Sequence, residues 1–217
     1  MIDYINDPRK KDNLIQFVNA TKEIIREEGM QNVSIRHIAA LSGFHNSTIY
    51  LYFNDLDELT TLASVMRLQE YSAQLGQLSL ENKDDYDTFY LIWNFYCTCS
   101  FRYPYTYSNL FFGKYSNDLH TVLNTYYDLY PEERIQYSAN IESMYYGHNL
   151  FDRCMQILDP LTRDGRTRVT NKNKALINNI TISCYRELLN KKCTDFGTDI
   201  SELTHTFMEM LHFVVDK

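Results

Sequence analysis

Residues 35–44 read Ile35-Arg36-His37-Ile38-Ala39-Ala40-Leu41-Ser42-Gly43-Phe44, and residues 47–53 read Ser47-Thr48-Ile49-Tyr50-Leu51-Tyr52-Phe53. In the first run Ile35, Ile38, Ala39 and Leu41 recur at helical spacing. Ser34 stands in front of them, where its side-chain oxygen suits an N-cap, and Gly43 stops the helix after two turns. A second short helix is expected to start near His45 or Asn46 and to carry Ile49 and Phe53 one turn apart, until Asn54 and Asp55 interrupt it. Only Ile49 and Phe53 of that segment read as core; Asn46, Ser47, Thr48, Tyr50 and Tyr52 are polar or amphipathic. A helix that served packing alone would bury a wider face. Two short helices joined at a glycine turn, with a longer helix in front, are the parts of a helix-turn-helix. A generic helical hairpin inside a bundle is the plainer alternative.

The longer helix in front is read from Leu14, Phe17, Val18, Thr21, Ile24, Ile25 and Glu28, with Asp12, Asn13, Lys22, Glu23 and Arg26 on its solvent side and Gly29 as its stop. Behind the pair, Asn54 and Asp55 cap a helix carrying Leu59, Leu62, Ala63 and Met66. After a polar break at 82–85, Tyr86, Phe89, Tyr90, Trp93, Tyr96, Cys97 and Ser100 recur at three and four residues, which predicts a helix with an aromatic inward face. Pro104 opens a short helix with Leu110, Phe111 and Phe112. Pro131, Glu132 and Glu133 suit the start of another, expected to run through Ile141, Met144, Tyr145, His148, Phe151 and Met155 to Leu158. Thirteen of the 18 tyrosines fall within residues 86–146. Two closing helices, near 171–191 and 199–215, are apolar over more than one face. That pattern fits a dimer interface, and a large helical core could use it as well.

The wider composition agrees with a helical chain. Of 217 residues, 44% are hydrophobic and 23% charged, with only 7 Gly and 4 Pro to punctuate them, which excludes collagen-like and disordered classes. No apolar run reaches the length of a membrane span, and Met1, Ile2, Asp3 and Tyr4 do not begin a signal peptide. A cytoplasmic protein without membrane contact is expected. The five cysteines, Cys97, Cys99, Cys154, Cys184 and Cys193, are odd in number and irregularly spaced, as free thiols in a reducing compartment would be. Cys97 and Cys99 would point about 200° apart on a helix, a poor chelate. Neither a metal nor a cofactor is expected. With scattered histidines and no Ser/His/Asp order, glycine-rich phosphate loop or paired His and Glu motif, the chain does not read as an enzyme.

Residues 35–44, followed by Ser47-Thr48-Ile49-Tyr50-Leu51-Tyr52-Phe53 and Asp57-Glu58-Leu59, resemble the DNA-binding domain of the tetracycline-repressor (TetR) family of bacterial transcription regulators. The resemblance covers about residues 10 to 60, roughly a quarter of the chain. It implies an all-α homodimer: an N-terminal three-helix helix-turn-helix DNA-binding domain, residues 1–55, followed by a larger helical ligand-binding and dimerisation domain, residues 56–217. The implied partners are a double-stranded DNA operator and a small organic effector. The implied function is a ligand-responsive regulator, most often a repressor released from its operator; an activator, or a protein acting through a protein partner, would keep the same fold.

Placed in the major groove, the first turn of the third helix presents His45, Asn46 and Ser47 to base edges, and Asn46 can pair bidentately with adenine. Arg36 matches a family position that reaches DNA. Thr48, Tyr50 and Tyr52 are expected to give their hydroxyls to phosphates, and Ser34 to combine capping with a phosphate contact. One departure stands out: Leu56 occupies a place where the family commonly has Lys, leaving only backbone N–H groups to meet a phosphate there. The effector site is expected among Tyr90, Trp93, Tyr96, Phe112, Tyr145, His148 and Asn149, against the alternative that these rings are packed core. Lacking a visible buried cation or carboxylate motif, that site reads as one for a neutral or aromatic ligand.

A formal net charge of -7 argues at first sight against a DNA binder. Residues 1–53 nevertheless balance, six basic (Arg9, Lys10, Lys11, Lys22, Arg26, Arg36) against six acidic (Asp3, Asp7, Asp12, Glu23, Glu27, Glu28), so the whole excess lies in the remainder. A neutral reader predicts a shallow salt dependence of DNA binding.

Overall fold

Asp7 opens the first helix: its carboxylate accepts the N–H groups of Arg9 and Lys10, and Pro8 stands at the first helical position, where its missing donor costs nothing. In the computed structural model, which describes residues 7–77, 83–134 and 144–217, this helix α1 spans Pro8–Glu27. It is followed by α2 (Ile35–Ser42), a 3-10 turn over Asn46–Leu51, α3 (Leu56–Gln77), α4 (Asp85–Arg102), α5 (Pro104–Phe112), α6 (Leu119–Leu129), α7 (Leu150–Leu158), α8 (Lys174–Thr194) and α9 (Ile200–Val215). The fold is all-α, and among the described residues the only β pairing is an isolated bridge between Thr167 and Asp216.

Two compact units emerge, Met1–Gln69 with Tyr105–Arg134, and Glu70–Pro104 with Ile135–Lys217. In the first, Phe17 of α1 is the centre of the small N-terminal core. Its ring lies 4.7 Å from Phe44, 5.6 Å from Tyr52 and 6.4 Å from Phe53, while Ile38, Ala39 and Ile49 close the same core. In the second, α4 packs against α7 and α9, and α8 against α7 and α9. Trp93 of α4 meets Phe207 of α9 at 5.0 Å, and Tyr96 of α4 meets Tyr185 of α8 at 5.1 Å. At the end of α9, the Asp216 carboxylate accepts from Tyr86 (3.0 Å) and Tyr90 (2.6 Å) and pairs with His212 (2.8 Å), fastening α9 to α4. Burial would raise this carboxyl, but the hydrogen bonds from Tyr90, His212 and Tyr86 together hold it below its usual range.

Several local expectations change. The third helix of the reader is a six-residue 3-10 turn; squeezed between the Gly43 turn and the break at Asn54, it closes with short-range bonds such as Thr48 N–H to His45 and Tyr52 N–H to Ile49. The helix expected over 132–158 opens as a 3-10 turn at Pro131–Glu133 and, helical at Met144 and Tyr145, is interrupted over 146–149 before a separate α7; residues 135–143 lie outside the described ones. Asn149 starts α7 by accepting the Asp152 N–H at 2.9 Å, and the chain turns at Gly147 before it. Ile141 of that expectation lies outside the described residues. Helix α6 carries no strong stop and start signals and was not expected. Lys22, placed on the solvent side of α1 by its charge, is 5% exposed. In the closing helices, Ile177, Tyr185, Leu188 and Leu189 of α8 and Leu203, Phe207, Leu211 and Val215 of α9 are buried, whereas Leu176, Ile180, Met210 and Phe213 are exposed.

Candidate nucleic-acid interface and aromatic cavity

The reader is built from its caps. Ser34, in extended backbone, accepts the His37 N–H at 3.2 Å and sets the direction of α2. Gly43 ends α2 with φ +76°, a left-handed conformation that side chains resist, and the Phe44 N–H returns to the Ala39 carbonyl at 3.1 Å. The chain thus leaves α2 sharply and enters the Asn46–Leu51 turn, whose start is held by His45: its ring Nδ1 lies 2.9 Å from the Ser47 hydroxyl and accepts the Ser47 N–H.

These turns divide the side chains into two sets. Ile38, Ala39, Ile49 and Phe53 face inward and are buried; Ser34, Arg36, His45, Asn46, Ser47 and Tyr50 face solvent. Thr48 and Tyr52 are half-buried. The Tyr52 hydroxyl accepts from the Asn13 side chain at 2.7 Å, which orients it while leaving its own proton to donate. Two apolar residues stand in solvent against the sequence pattern: Leu51 is 65% exposed beside Tyr50 at 57%, and Leu41 is also exposed. Helical periodicity assigned Leu41 to the core, and nothing in the pattern marked Leu51.

At the start of α3, beside Leu56, the chain's own carboxylates occupy the helix end. Asp55 accepts the Glu58 N–H at 2.8 Å, and Glu58 reaches back to the Asn54 N–H at 2.7 Å, a reciprocal capping arrangement. Asp55 is also paired with Lys114 and accepts from Tyr115. With Asp57 in the same first turn, this helix end is acidic, and the N–H groups of Asn54 and Glu58 already have side-chain acceptors.

Lys22 connects the reader's first helix to α6. Its ammonium lies 2.9 Å from the Tyr126 hydroxyl, 3.2 Å from Glu133 and 4.2 Å from the centre of the Tyr130 ring. Glu133 also accepts from Tyr126, and its backbone carbonyl accepts from Gln69 of α3. Tyr130 donates to Asn19 of α1 at 2.8 Å. Burial lowers the Lys22 pKa against the opposing pull of Glu133.

The residues expected at an effector site are dispersed. Tyr90 is buried but directed to Asp216, Asn149 caps α7, and His148 is exposed. Phe112 belongs to the first unit, whereas the other six belong to the second. Tyr145 is fully buried, and its carbonyl accepts from Arg153. Trp93 and Tyr96 do line a cavity, together with Tyr71, Met144, Leu150, Arg153 and Cys154, but its volume is about 20 Å³, room for a single water. Sequence reading missed Arg153, only 3% exposed on α7; a charge beside Asp152 reads as a solvated position. The cysteines are free thiols, and burial pushes Cys154 up to about 12 and Cys99 to about 11, far from thiolate reactivity at neutral pH. Among the described residues no group of His, Cys, Asp and Glu could hold a metal ion, and no helix is long and apolar enough to cross a membrane.

The family model described as bacterial regulatory proteins, tetR family, matches residues 17–60, from the hub Phe17 through both turns to the start of α3. This N-terminal domain belongs to the TetR family. The likeness of fold extends over nearly the whole chain. A TetR transcriptional regulator from Rhodococcus sp. RHA1 is 11% identical with TM-score 0.53, the alignment covering 95% of this chain and 97% of that one. FadR from Bacillus subtilis, in complex with stearoyl-CoA, is 15% identical with TM-score 0.52 over 91% and 96% of the two chains. SmeT in its triclosan complex is 16% identical with TM-score 0.50 over 95% and 92%; SmeT is described as the repressor of the Stenotrophomonas maltophilia multidrug efflux pump SmeDEF. No curated protein sequence matches the chain. The fold is thus that of TetR-family transcriptional regulators, with the helix-turn-helix at its N-terminus.

Proposed function

We propose that the protein is a homodimeric repressor that holds a double-stranded DNA operator and leaves it when a small organic effector binds the second unit. The observation that carries this reading is the division of the TetR-type reader: Ile38, Ala39, Ile49 and Phe53 are buried, while Arg36, His45, Asn46, Ser47 and Tyr50 stand in solvent. Asn46 and Arg36 would make base contacts, and Ser34, Thr48, Tyr50 and Tyr52 would position the reader on phosphates. The exposed Leu51 fits contact with a thymine methyl.

Dimerisation is assigned to the outer faces of α8 and α9. Leu176 and Ile180 lie one turn apart on α8, and Met210 and Phe213 about one turn apart on α9, all four exposed in the single chain. Leaving such residues in water on a terminal helix pair is unfavourable, and an isologous pairing would cover them. That FadR and SmeT, which share this fold, were solved with stearoyl-CoA and with triclosan supports an effector-binding role for this chain. Effector binding would favour a dimer whose two readers no longer match half-sites one helical turn apart, about 34–36 Å.

Selection of bound duplexes from a random library tests the reading. Enrichment of a two-fold-related site with half-sites about one turn apart is expected, with a salt slope no steeper than about eight from so neutral a reader. A library that shows no enriched sequence contradicts it.

A further inference from the structure

The cavity of the second unit has an unusual wall. Ile92, Met144, Leu150 and Ile157 make it largely apolar, with the rings of Tyr71 and Tyr96 and the Cys154 thiol beside them, yet it is also lined by Trp93 and Arg153, which are 2% and 3% exposed. An indole N–H and a guanidinium can only donate hydrogen bonds. The Trp93 N–H is fully buried and meets no acceptor among the described residues; a buried donor left so is unfavourable and favours any acceptor that reaches it. Arg153 is fixed by its neighbours on the chain. It donates to the Tyr145 carbonyl, and its stem runs so close over Gly147 that a Cβ there would sit 2.7 Å from the Arg153 Cγ.

We propose that this cavity is the effector site and that its ligand is an apolar molecule ending in a carboxylate, which accepts from Arg153 and from the Trp93 indole. The inference rests on the effector reading above and adds the chemical class, in place of the neutral ligand expected from sequence. A carboxylate supplies several acceptor positions at one end and forms short, charge-assisted bonds with a guanidinium, so an acceptor-rich head suits the Arg153 and Trp93 donors. The apolar body takes the place now filled by side chains. The present volume of about 20 Å³ is far below the roughly 300 Å³ of an ordinary ligand pocket. Met144, with three rotatable bonds and a soft thioether, is the lining residue best able to yield.

Trp93 is the only tryptophan, so its emission reports directly on the cavity. The full-length wild-type chain is titrated with decanoate, dodecanoate and 2-naphthoate, and in parallel with the alcohols of the same skeletons, while release of operator DNA is followed in separate samples. The acids are expected to change Trp93 emission and to bind about tenfold or more tighter than the alcohols. Arg153→Gln is expected to abolish that preference while keeping the affinity for alcohols. If that variant does not fold, the acid-to-alcohol ratio in the wild type decides alone. Equal affinities, or a Trp93 emission indifferent to every acid, overturn the carboxylate site. Acids that bind at Trp93 with the stated preference but leave the operator complex intact uphold the site and overturn its reading as the effector switch.

Discussion

Lys22 and Glu133 offer an asymmetric test of how the first unit is held together. Lys22→Met keeps the length of the buried stem and removes an ammonium that burial already disfavours. Glu133→Ala leaves that ammonium in place, 5% exposed, with the Tyr126 hydroxyl and the Tyr130 ring as its remaining company. Breaking a fully buried pair by deleting one partner costs about 3–5 kcal/mol, whereas replacing the charge by a well-packed apolar group is often neutral. The Glu133 side chain is 31% exposed, so solvent reduces the first figure, to about 2 kcal/mol. Loss of the Glu133 carboxylate also deprives Tyr126 of its acceptor, which pushes in the same direction. Thermal unfolding followed by circular dichroism should show Glu133→Ala melting roughly 4–8 °C below wild type, and Lys22→Met within about half that distance. A Lys22→Met variant as unstable as Glu133→Ala, or more so, would refute the account of Lys22 as a desolvated charge that the carboxylate compensates.

Three further outcomes follow from particular contacts. Gly43→Ala meets no atom within 4 Å of the new Cβ, so its cost is purely that of the left-handed backbone at φ +76°, about 1 kcal/mol in a denaturant titration; an unchanged midpoint would count against this turn. Asp216 is held below its unfolded pKa by Tyr90, His212 and Tyr86, so its contribution to stability is present above about pH 4 and is lost as pH falls through the folded value. Asp216→Asn should therefore flatten the acid limb of the stability curve relative to wild type, and an identical acid limb would be the contrary result. Phe213 is 79% exposed in the single chain; Phe213→Asp should turn a dimer into a monomer in light scattering at micromolar concentration, and an unaltered mass would remove α9 from the interface.

How much of this was legible in the sequence depended on whether a residue's chemistry and its position pointed the same way. Ser34 and Gly43 are strong local signals, each acting on its own backbone, so α2 and its turn could be read directly. Pro104 marked the start of α5 equally well. Lys22 and Arg153 could not be read, because a charge in an amphipathic pattern defaults to solvent, and their burial depends on partners distant in sequence: Glu133 for one, the Tyr145 carbonyl and an aromatic wall for the other. Tyr185 shows the converse. Its hydroxyl does not mark it as core, yet it is fully buried among Trp93, Tyr96, Phe101 and Phe207, since a helix packed between several others buries more than one stripe. The break before α7 was carried by Asn149 and Gly147, weaker signals than the apolar period that ran across them. For the tyrosines, composition could not separate lining from packing: Tyr96 lines the cavity, Tyr90 is a strut to Asp216 and Tyr126 part of a cation's cage.

The central claim is that the exposed face of the Ser34–Tyr52 segment reads DNA. It is tested most directly by footprinting the selected operator with wild type, Arg36→Ala and Tyr50→Ala, each confirmed as a folded dimer. Both variants should lose about tenfold or more in operator affinity, with Tyr50→Ala weakened evenly across sequences and Arg36→Ala weakened most on the selected site. Unchanged footprints and affinities in both variants would contradict the account.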